Sequence, residues 1–330
     1  MLNRIQPVAT RDLMHTDDVM PWLLDWRRAG QRCALVTVVG IEGGSPRSAG
    51  AQMAVSETGA YVGYLSGGCL EQAVAHEALA VIMEGQNRLV RYGKNSRYFD
   101  IRLPCGAGLD IYFDQSLDQD VIAKISRARA ERSITALRTD LVTGSSEAVD
   151  DLPAGMEVPS SGREGDTFTR VYVPAIRMHL VGIGPSMAAI ARLASNVGID
   201  VETASPDEGT QTELALCGLA PHNIACAALP PAFHTDPWTA AVLAFHEHHW
   251  EPPILQTLLD GPCFYIGAVG SRRVHEARLE ALAAEGVDDR KLARIRGPIG
   301  MIAGAKGCAS LAIGVVAEIM AEAKARNFIV

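Results

Sequence analysis

The sequence contains no run of about 18 apolar residues, which a membrane-spanning helix would need. Its first residues form no apolar core of signal-peptide length, so we expect no secretion signal. The seven cysteines form no Cys-x-x-Cys pair, and their odd number and scattered spacing favour reduced thiols over a disulfide framework. These absences predict a cytoplasmic protein that has no membrane segment.

Basic residues are in the minority, because 30 Lys and Arg stand against 38 Asp and Glu, giving a net charge of −8. Such a balance excludes general nucleic-acid binding. The 330 residues are 48% hydrophobic, which is enough for ordinary cores. The length predicts one to three domains, most simply two.

The most distinctive stretch of the chain holds two glycine-rich turns, at residues 43–47 and 66–71. Glycine loses much conformational freedom on folding, so such turns occur where the backbone reverses sharply or approaches another group closely. Ser45 and Arg47 lie in the first turn, and Cys69 and Glu71 lie in the second. This composition is typical of a binding site.

Periodicity predicts several elements in the first half of the chain. The predicted helices cover 17–29, 71–83 and 121–131, and the predicted strands cover 33–39, 52–55, 61–64, 109–113 and 134–142. Residues 143–166 are rich in Gly, Ser, Pro and acids, which leaves open a hairpin or a linker between domains. The basic stretch from Arg88 to Arg102 is either a phosphate site or a solvated strand face.

Cys69 comes just before the predicted helix 71–83. A helix N-terminus has unpaired N–H groups and a partial positive charge, and both favour a reactive thiolate. Glu71 would oppose ionisation unless it points away or pairs with Arg47. The alternative is a buried, inert thiol beside a turn.

In the second half, a buried strand at 178–183 leads into Gly182 and Gly184, and a helix and a second strand at 199–203 follow. This is a βαβ unit with a degenerate dinucleotide fingerprint, because Met187 replaces the third glycine. At the position where an acid would bind the ribose of a dinucleotide, the chain has Ser205. The pattern therefore suggests an NAD(P)-dependent oxidoreductase as the alternative function, and the missing acid counts against it.

Two later strand ends carry polar side chains. The strand at 240–244 leads to His246, and the strand at 264–269 leads to Ser271, Arg272 and Arg273 at the start of a helix. A hydroxyl and two guanidinium groups at a helix start are suited to an anion. In an open α/β sheet, ligands bind at this edge of the strands.

The glycine turns and several later blocks resemble the XdhC/CoxI family, whose members are molybdenum-cofactor chaperones. The residues that carry the resemblance are Gly44, Ser45, Pro46, Arg47, Gly50, Ala51, Met53, Ser66, Gly67, Gly68, Cys69, Glu71, Leu103, Pro104, Cys105 and Gly106, followed by the blocks at 267–273 and 297–304. The resemblance covers most of the chain in the family's order. One departure is the segment 306–310, where the family has a Thr-Pro-Glu-Glu-like start to its last helix.

The resemblance implies an α/β fold of two parts. We expect the binding site in the cleft between them, where such sites often lie. A mixed α/β domain would cover residues 1–172, with a linker region at 143–172, and a Rossmann-like parallel sheet would cover 173–330. The protein would protect the molybdenum cofactor, support its sulfuration and insert it into the large subunit of an apo-molybdenum hydroxylase of the xanthine dehydrogenase or aldehyde oxidase type. It would act as a maturation factor rather than as an enzyme.

The resemblance also assigns residues and partners. Molybdopterin or a dinucleotide form of it would contact Ser45, Arg47, Gly67, Gly68, Cys69, Glu71, Cys105, Gly182, Gly184, His246, Ser271, Arg272 and Arg273. Cys69 would meet the molybdenum, with Cys105 as the alternative thiol. A cysteine desulfurase would be a further partner, and a homodimer is the default assembly.

Overall fold

The computed structural model describes residues 6–7, 18–96, 106–150 and 158–329. Within it the chain forms two compact units, the first ending at Pro174 and the second beginning at Ala175. Unit 1 contains antiparallel sheets and unit 2 contains a parallel sheet. The predicted fold class, a mixed α/β part followed by a Rossmann-like part, is therefore confirmed.

Unit 1 is built on a six-stranded sheet in the order β1-β4-β3-β2-β6-β5. The strands are β1 (Gln6–Pro7), β2 (Cys33–Glu42), β3 (Gln52–Ser56), β4 (Ala60–Gly63), β5 (Arg88–Gly93) and β6 (Gly108–Asp114). Neighbours pair antiparallel except β1 and β4. The long central strand β2 delivers the chain directly into the first glycine turn.

Alternation along β2 determines what each face of this sheet buries. Val36 and Val38 belong to one core cluster, which includes Val74 and Val81 of α2 (Glu71–Glu84). Leu35, one position away, belongs to another cluster with the helices α1 (Met20–Arg28) and α3 (Gln119–Ala130). Both faces of β2 are therefore covered, which fixes the register of the strand that positions the first turn.

A second, four-stranded antiparallel sheet in unit 1 has the order β8-β7-β10-β9. Its strands are β7 (Thr135–Asp140), β8 (Ser146–Val149), β9 (Gly162–Glu164) and β10 (Thr167–Tyr172). The described part of 143–172 therefore consists mainly of these strands and the turns between them. Buried Phe168 and Val171 tie β10 to the unit, so the Gly-rich composition here marks turns.

Unit 2 contains a six-stranded parallel sheet in the order β13-β12-β11-β14-β15-β16. Its strands are β11 (Arg177–Gly182), β12 (Asp200–Ser205), β13 (His222–Asn223), β14 (Thr239–Ala244), β15 (Tyr265–Ala268) and β16 (Ile295–Arg296). The strand order reverses between β11 and β14. In doubly wound sheets the ligand crevice opens at that reversal, at the carboxyl ends of the strands.

Six helices connect or follow the strands of unit 2. They are α4 (Pro185–Asn196), α5 (Glu208–Leu216), α6 (Glu251–Asp260), α7 (Arg272–Ala284), α8 (Asp289–Leu292) and α9 (Cys308–Ala325), with a 3-10 turn at His248–Trp250. The described ranges include no helix with the length and apolar character that crossing a membrane requires. The starts of α4, α7 and α9 matter most for the site.

Candidate functional site

Glu71, the first residue of α2, turns its carboxylate back into the loop that precedes it. Its Oε1 accepts the backbone N–H groups of Leu65 at 3.0 Å and Ser66 at 2.9 Å, and its Oε2 accepts that of Leu70 at 3.1 Å. The Ser66 hydroxyl lies 3.1 Å from both oxygens. Burial alone would raise the pKa of Glu71, but these hydrogen bonds outweigh burial and lower it. The carboxylate therefore holds the loop in shape.

Cys69 stands exposed at the tip of this loop. Its Sγ lies 3.4 Å from the Ser66 Oγ, which in turn lies beside the Glu71 carboxylate. Gly67 and Gly68 have φ values of 91° and 109°, a region that side chains rarely adopt. A Cβ on Gly68 would meet no atom within 4 Å, so this side of the loop is open. A soft ligand could reach the thiol there.

The first glycine turn lies against the second. A Cβ built on Gly67 would lie 3.9 Å from the Pro46 Cγ. The Ser45 Oγ accepts the Arg47 N–H at 3.3 Å and so tightens the first turn. The structure thus brings together the two turns that the sequence singled out, and the Glu71 carboxylate is hydrogen-bonded within its own loop.

Gly106, the last residue of the third family-like block, and the following Ala107 adjoin the first turn. A Cβ on Gly43 would lie 3.6 Å from the Ala107 Cα, and β2 and β6 pair at this end of the sheet. Cys105, the alternative thiol, lies outside the described residues. Its role stays a prediction.

The basic stretch that starts at Arg88 is engaged by carboxylates. The ion pairs are Arg88 with Glu77 at 2.5 Å and with Glu84, Arg91 with Asp110 at 3.1 Å and with Glu42, and Lys94 with Glu42 at 2.7 Å. Arg97 and Arg102 lie outside the described residues. For the three described cations, the solvated strand face is the better interpretation, because their charge is already balanced.

In unit 2, the structure requires glycine at positions 182 and 184 of the fingerprint for different reasons. A Cβ on Gly182 would lie 2.3 Å from the Ala244 carbonyl oxygen, so the close approach of β11 and β14 requires it. Gly184 has a φ of 91° and lies just before α4, and its N–H donates to the Thr210 Oγ1 at 2.8 Å. Neither glycine is therefore explained by a ligand alone.

The residues near the ribose position hold this turn in place. Asp207 caps α5, since its Oδ2 accepts the Thr210 N–H at 2.7 Å and the Thr210 hydroxyl at 2.6 Å. These bonds lower the pKa of Asp207. Ser205 is fully buried, and its Oγ accepts the Asp207 N–H at 3.2 Å. A chain of hydrogen bonds thus runs from Asp207 through Thr210 to Gly184.

The starts of α4 and α9 meet at one place. The Ser186 Oγ lies 3.5 Å from the Cys308 Sγ, and each residue is in the first turn of its helix. No side chain caps α9, whose N-cap is Gly307. His246 is exposed at the end of β14, and its Nε2 would lie 3.7 Å from a Cβ on Gly184. Helix starts carry partial positive charge, so this edge favours an anion.

Cys308 was not singled out by the sequence, although its position after Lys306 and Gly307 and before an apolar periodic run marks a helix start. The approach of Ser186 to it depends on how α4 packs against α9. A contact that joins residues 122 positions apart has no local sequence signal.

The start of α7 carries the three polar side chains that the sequence singled out. The Ser271 Oγ accepts the Val274 N–H at 3.3 Å and thus serves as the N-cap. Arg272 and Arg273 are exposed, and neither forms an ion pair with any residue in the described ranges. Their guanidinium groups are therefore available to an anion.

A buried ion pair that the sequence did not reveal supports this turn. The Arg278 Nε donates to the Glu251 Oε2 at 2.8 Å, and its NH2 group donates to Oε1 at 3.1 Å. Glu251 is fully buried and Arg278 nearly so. The same NH2 group donates to the Val269 carbonyl at 2.9 Å, so the pair ties α6 and α7 to the loop that presents Arg272.

No group of three His, Cys, Asp or Glu side chains that could hold a metal ion occurs in the part of the chain that the structure describes. The described side chains of His246 and His249 belong to no such group.

Two family models match the chain. The model of the XdhC and CoxI family matches residues 26–93, and the model of the XdhC Rossmann domain matches residues 178–319. They include the two glycine turns of unit 1 and the starts of α4, α7 and α9.

Curated relatives and a solved structure agree with these matches. The chain is 32% identical over 310 residues to the molybdenum cofactor insertion chaperone PaoD of Escherichia coli, covering 92% of this chain and 88% of PaoD. It is 25% identical to a probable xanthine dehydrogenase subunit of Bacillus subtilis, covering 88% of this chain and 93% of that relative. A crystal structure described as a xanthine dehydrogenase of Bacillus halodurans superposes with a TM-score of 0.73 at 22% identity, covering 93% and 96%, which shows a shared fold.

Proposed function

The chain belongs to the XdhC and CoxI family, and from this premise we propose that it binds the molybdenum cofactor and inserts it into a molybdenum hydroxylase. The name of its relative PaoD, which aligns with 92% of the chain, supports this function. The observation that carries the proposal is the anion-binding edge of unit 2, since every form of the cofactor has a phosphate or pyrophosphate.

The phosphate end would be held in unit 2. The starts of α4 and α9 meet at Ser186 and Cys308, and α9 offers the uncapped N–H groups of its first turn. Arg272 and Arg273 add two guanidinium groups that carry no ion pair with the described residues. Gly184 and His246 would line the turn, and Gly182 and Ser271 would hold their neighbours in position.

The molybdenum and dithiolene end is chemically soft, and unit 1 offers a matching ligand. Cys69 is exposed at an open face of its loop, and thiolates are preferred by soft metals. Glu71 and the glycines at 67 and 68 would fix the thiol, with Ser45 and Arg47 on the adjoining turn. Cys105 is the alternative thiol.

The finer parts of the proposal concern the cofactor's treatment and the partners. The protein would shield the bound cofactor from oxidation and support its sulfuration, with a cysteine desulfurase as sulfur source. The client would be the large subunit of an enzyme of the xanthine dehydrogenase or aldehyde oxidase type, and the chaperone would act as a homodimer in the cytoplasm. The bound form would be molybdopterin or one of its dinucleotides.

A second candidate, an NAD(P)-dependent oxidoreductase, is favoured by the strand order of the parallel sheet and by the turn at Gly184. Against it, Asp207, the first acid after β12, is engaged in capping α5. A titration with NADH therefore belongs in the test as a separate arm. Tight binding of NADH and none of the cofactor would reverse the choice.

The test is expression in cells that make molybdenum cofactor, followed by mass spectrometry of the molecules that co-purify. Wild-type protein should carry the cofactor, and Arg272→Ala/Arg273→Ala should lower its affinity at least tenfold, because each charge-assisted bond contributes about 1.5–3 kcal/mol. Arg127→Ala/Arg290→Ala is the control, since it removes the same charge from other exposed positions. Equal loading of both double variants would refute the phosphate site.

The thiol is tested by alkylation of the apo and the loaded protein, with peptides read by mass spectrometry. Cys69 should be labelled quickly in the apo form and protected in the loaded form. Cys226, which is also exposed, is the internal control and should be labelled equally in both forms. Equal labelling of Cys69 in both forms would reduce it to an ordinary surface thiol.

A further inference from the structure

An apolar patch on unit 2 is exposed although its backbone is held firmly. Met301 is 64% exposed, Ile302 is 43% exposed, and Ile313 on α9 is 53% exposed. We call these three side chains the α9 patch. Most large apolar side chains in the described ranges are buried, so a group of three on adjoining segments is a candidate interaction surface.

Direct backbone contacts hold the α9 patch in place. The Met301 N–H donates to the Gly314 carbonyl at 3.1 Å, and the Gly300 N–H donates to the Glu318 Oε2 at 2.5 Å. A Cβ on Gly314 would lie 3.2 Å from the backbone nitrogens of Met301 and Ile302, so the loop rests on the helix at a glycine. The apolar side chains therefore point outward from an ordered backbone, which lowers the entropic cost of binding a partner.

The segment that carries the α9 patch has a single charge, which is positive, in a protein that is acidic as a whole. From Gly297 to Ala317 the only charged residue is Lys306, which is exposed. Gly297 lies against His275 in the first turn of α7, and that helix begins with the exposed Arg272 and Arg273. The next acid along the chain, Glu318, bonds to Gly300 and to Tyr265. A partner for this surface should therefore be apolar with an acidic rim.

The size of the α9 patch and its position in unit 2 indicate what kind of partner binds there. Three side chains fall far short of the roughly 800 Å² that each partner buries in a stable interface, so a permanent dimer is a poor occupant. Cys308, which meets Ser186 at the anion-binding edge, lies five residues before Ile313 on the same helix. A protein that docks here transiently would stand next to the cofactor's phosphate end.

We infer that the α9 patch is the surface on which the cofactor-accepting apo-hydroxylase docks, through an apolar area flanked by carboxylates. The inference rests on the proposed function, because that function supplies the identity of the client enzyme. It adds the surface, and it separates docking from cofactor binding: the patch serves transfer, whereas the helix starts and arginines serve retention.

The experiment measures the affinity of cofactor-free chaperone for a purified apo-hydroxylase of the xanthine dehydrogenase type, and then transfer from loaded chaperone. Met301→Ser/Ile302→Ser and Ile313→Ser should each weaken docking at least tenfold and slow transfer, with cofactor loading unchanged. Lys306→Glu should weaken docking too, and added salt should reduce the effect of Lys306→Glu. Leu216→Ser is the matched control, since Leu216 is 84% exposed on α5 of the same unit.

Four outcomes overturn the inference. Equal docking by the patch variants and wild type excludes this surface, and equal weakening by Leu216→Ser shows non-specific stickiness. A change in the mass of the chaperone assembly, with docking unaltered, assigns the patch to a second copy of the chain. Loss of cofactor from the patch variants assigns it to the cofactor site. If wild type docks but never carries cofactor, the proposed function fails while the docking surface stands.

Discussion

The glycine turns of the two units are held by different means. In unit 1 the loop before α2 is organised from within, by Glu71 and Ser66, over a span of seven residues. In unit 2 the turn before α4 is organised from outside, by Thr210 of the next helix and by the neighbouring strand β14. A locally organised loop keeps its shape when its surroundings change, whereas the other turn depends on the packing of the whole sheet.

The largest expected effect tests the dependence of unit 2 on its sheet. Gly182→Val should destabilise the protein by about 3 kcal/mol or more, because its Cβ would overlap the Ala244 carbonyl at 2.3 Å, where only backbone could give way. Thermal unfolding measures the change. Gly162→Ala in β9, where a Cβ meets no atom within 4 Å, should stay within about 0.5 kcal/mol. A small loss of stability in Gly182→Val would mean that β11 and β14 can move apart at little cost.

The second effect tests the internal organisation of unit 1. Glu71→Gln should cost about 2–3 kcal/mol, because an amide cannot accept from all the donors that the buried carboxylate satisfies. The Cys69 loop should then be cleaved faster by protease. Glu77→Gln on the same helix, whose partner Arg88 also pairs with Glu84, is the control and should cost little.

The comparison of wild type with Glu71→Gln also predicts how stability depends on pH. The folded-state pKa of Glu71 is lowered from its ordinary value of 4.5, so its contribution to stability is complete above that value and is lost as the pH falls through the folded-state pKa. Glutamine does not titrate. The difference in melting temperature between wild type and Glu71→Gln should therefore be constant near pH 7 and shrink below about pH 4.5. A difference that grows on acidification would contradict the assignment.

The smallest effect tests the remote support of the second turn. Thr210→Val should cost about 1 kcal/mol, because it removes the hydroxyl that accepts the Gly184 N–H and donates to Asp207. Anion binding at the start of α4 should weaken as well. Thr212→Val, which removes an exposed hydroxyl bonded within α5, is the control. Identical effects of the two variants would show that Thr210 supports only its own helix.

The sequence predicted most of the elements that have a strong period. The βαβ unit around α4 and the strands β2, β11 and β14 were predicted because their buried runs are long and are bounded by turn residues. The helices α5 and α6 were missed. Few positions of α5 are buried, so its periodic signal is weak. In α6 the buried positions do follow the helical period, but Pro252 and Pro253 near its start resemble a loop. The strands β8–β10 were obscured by the turn residues between them.

For the site, local chemistry was predictable and remote contacts were not. The place of Cys69 before α2 follows from residues that adjoin in sequence. The Ala244 carbonyl requires a glycine at position 182, and Ser271 caps α7; the contact of either residue with a ligand stays a prediction. The contact between Ser186 and Cys308 depends on helix packing, which a single sequence does not display.

The buried pair of Glu251 and Arg278 limits how this sequence can drift. Replacing either residue alone leaves an unpaired charge in the interior, at a cost of about 3–5 kcal/mol. Single substitutions at these positions should therefore be rejected during evolution. An apolar pair could replace both, but the Val269 carbonyl would then lose the donor that Arg278 supplies. Among homologues the two positions should therefore covary, and exchanges that keep a donor near residue 269 should outnumber the others.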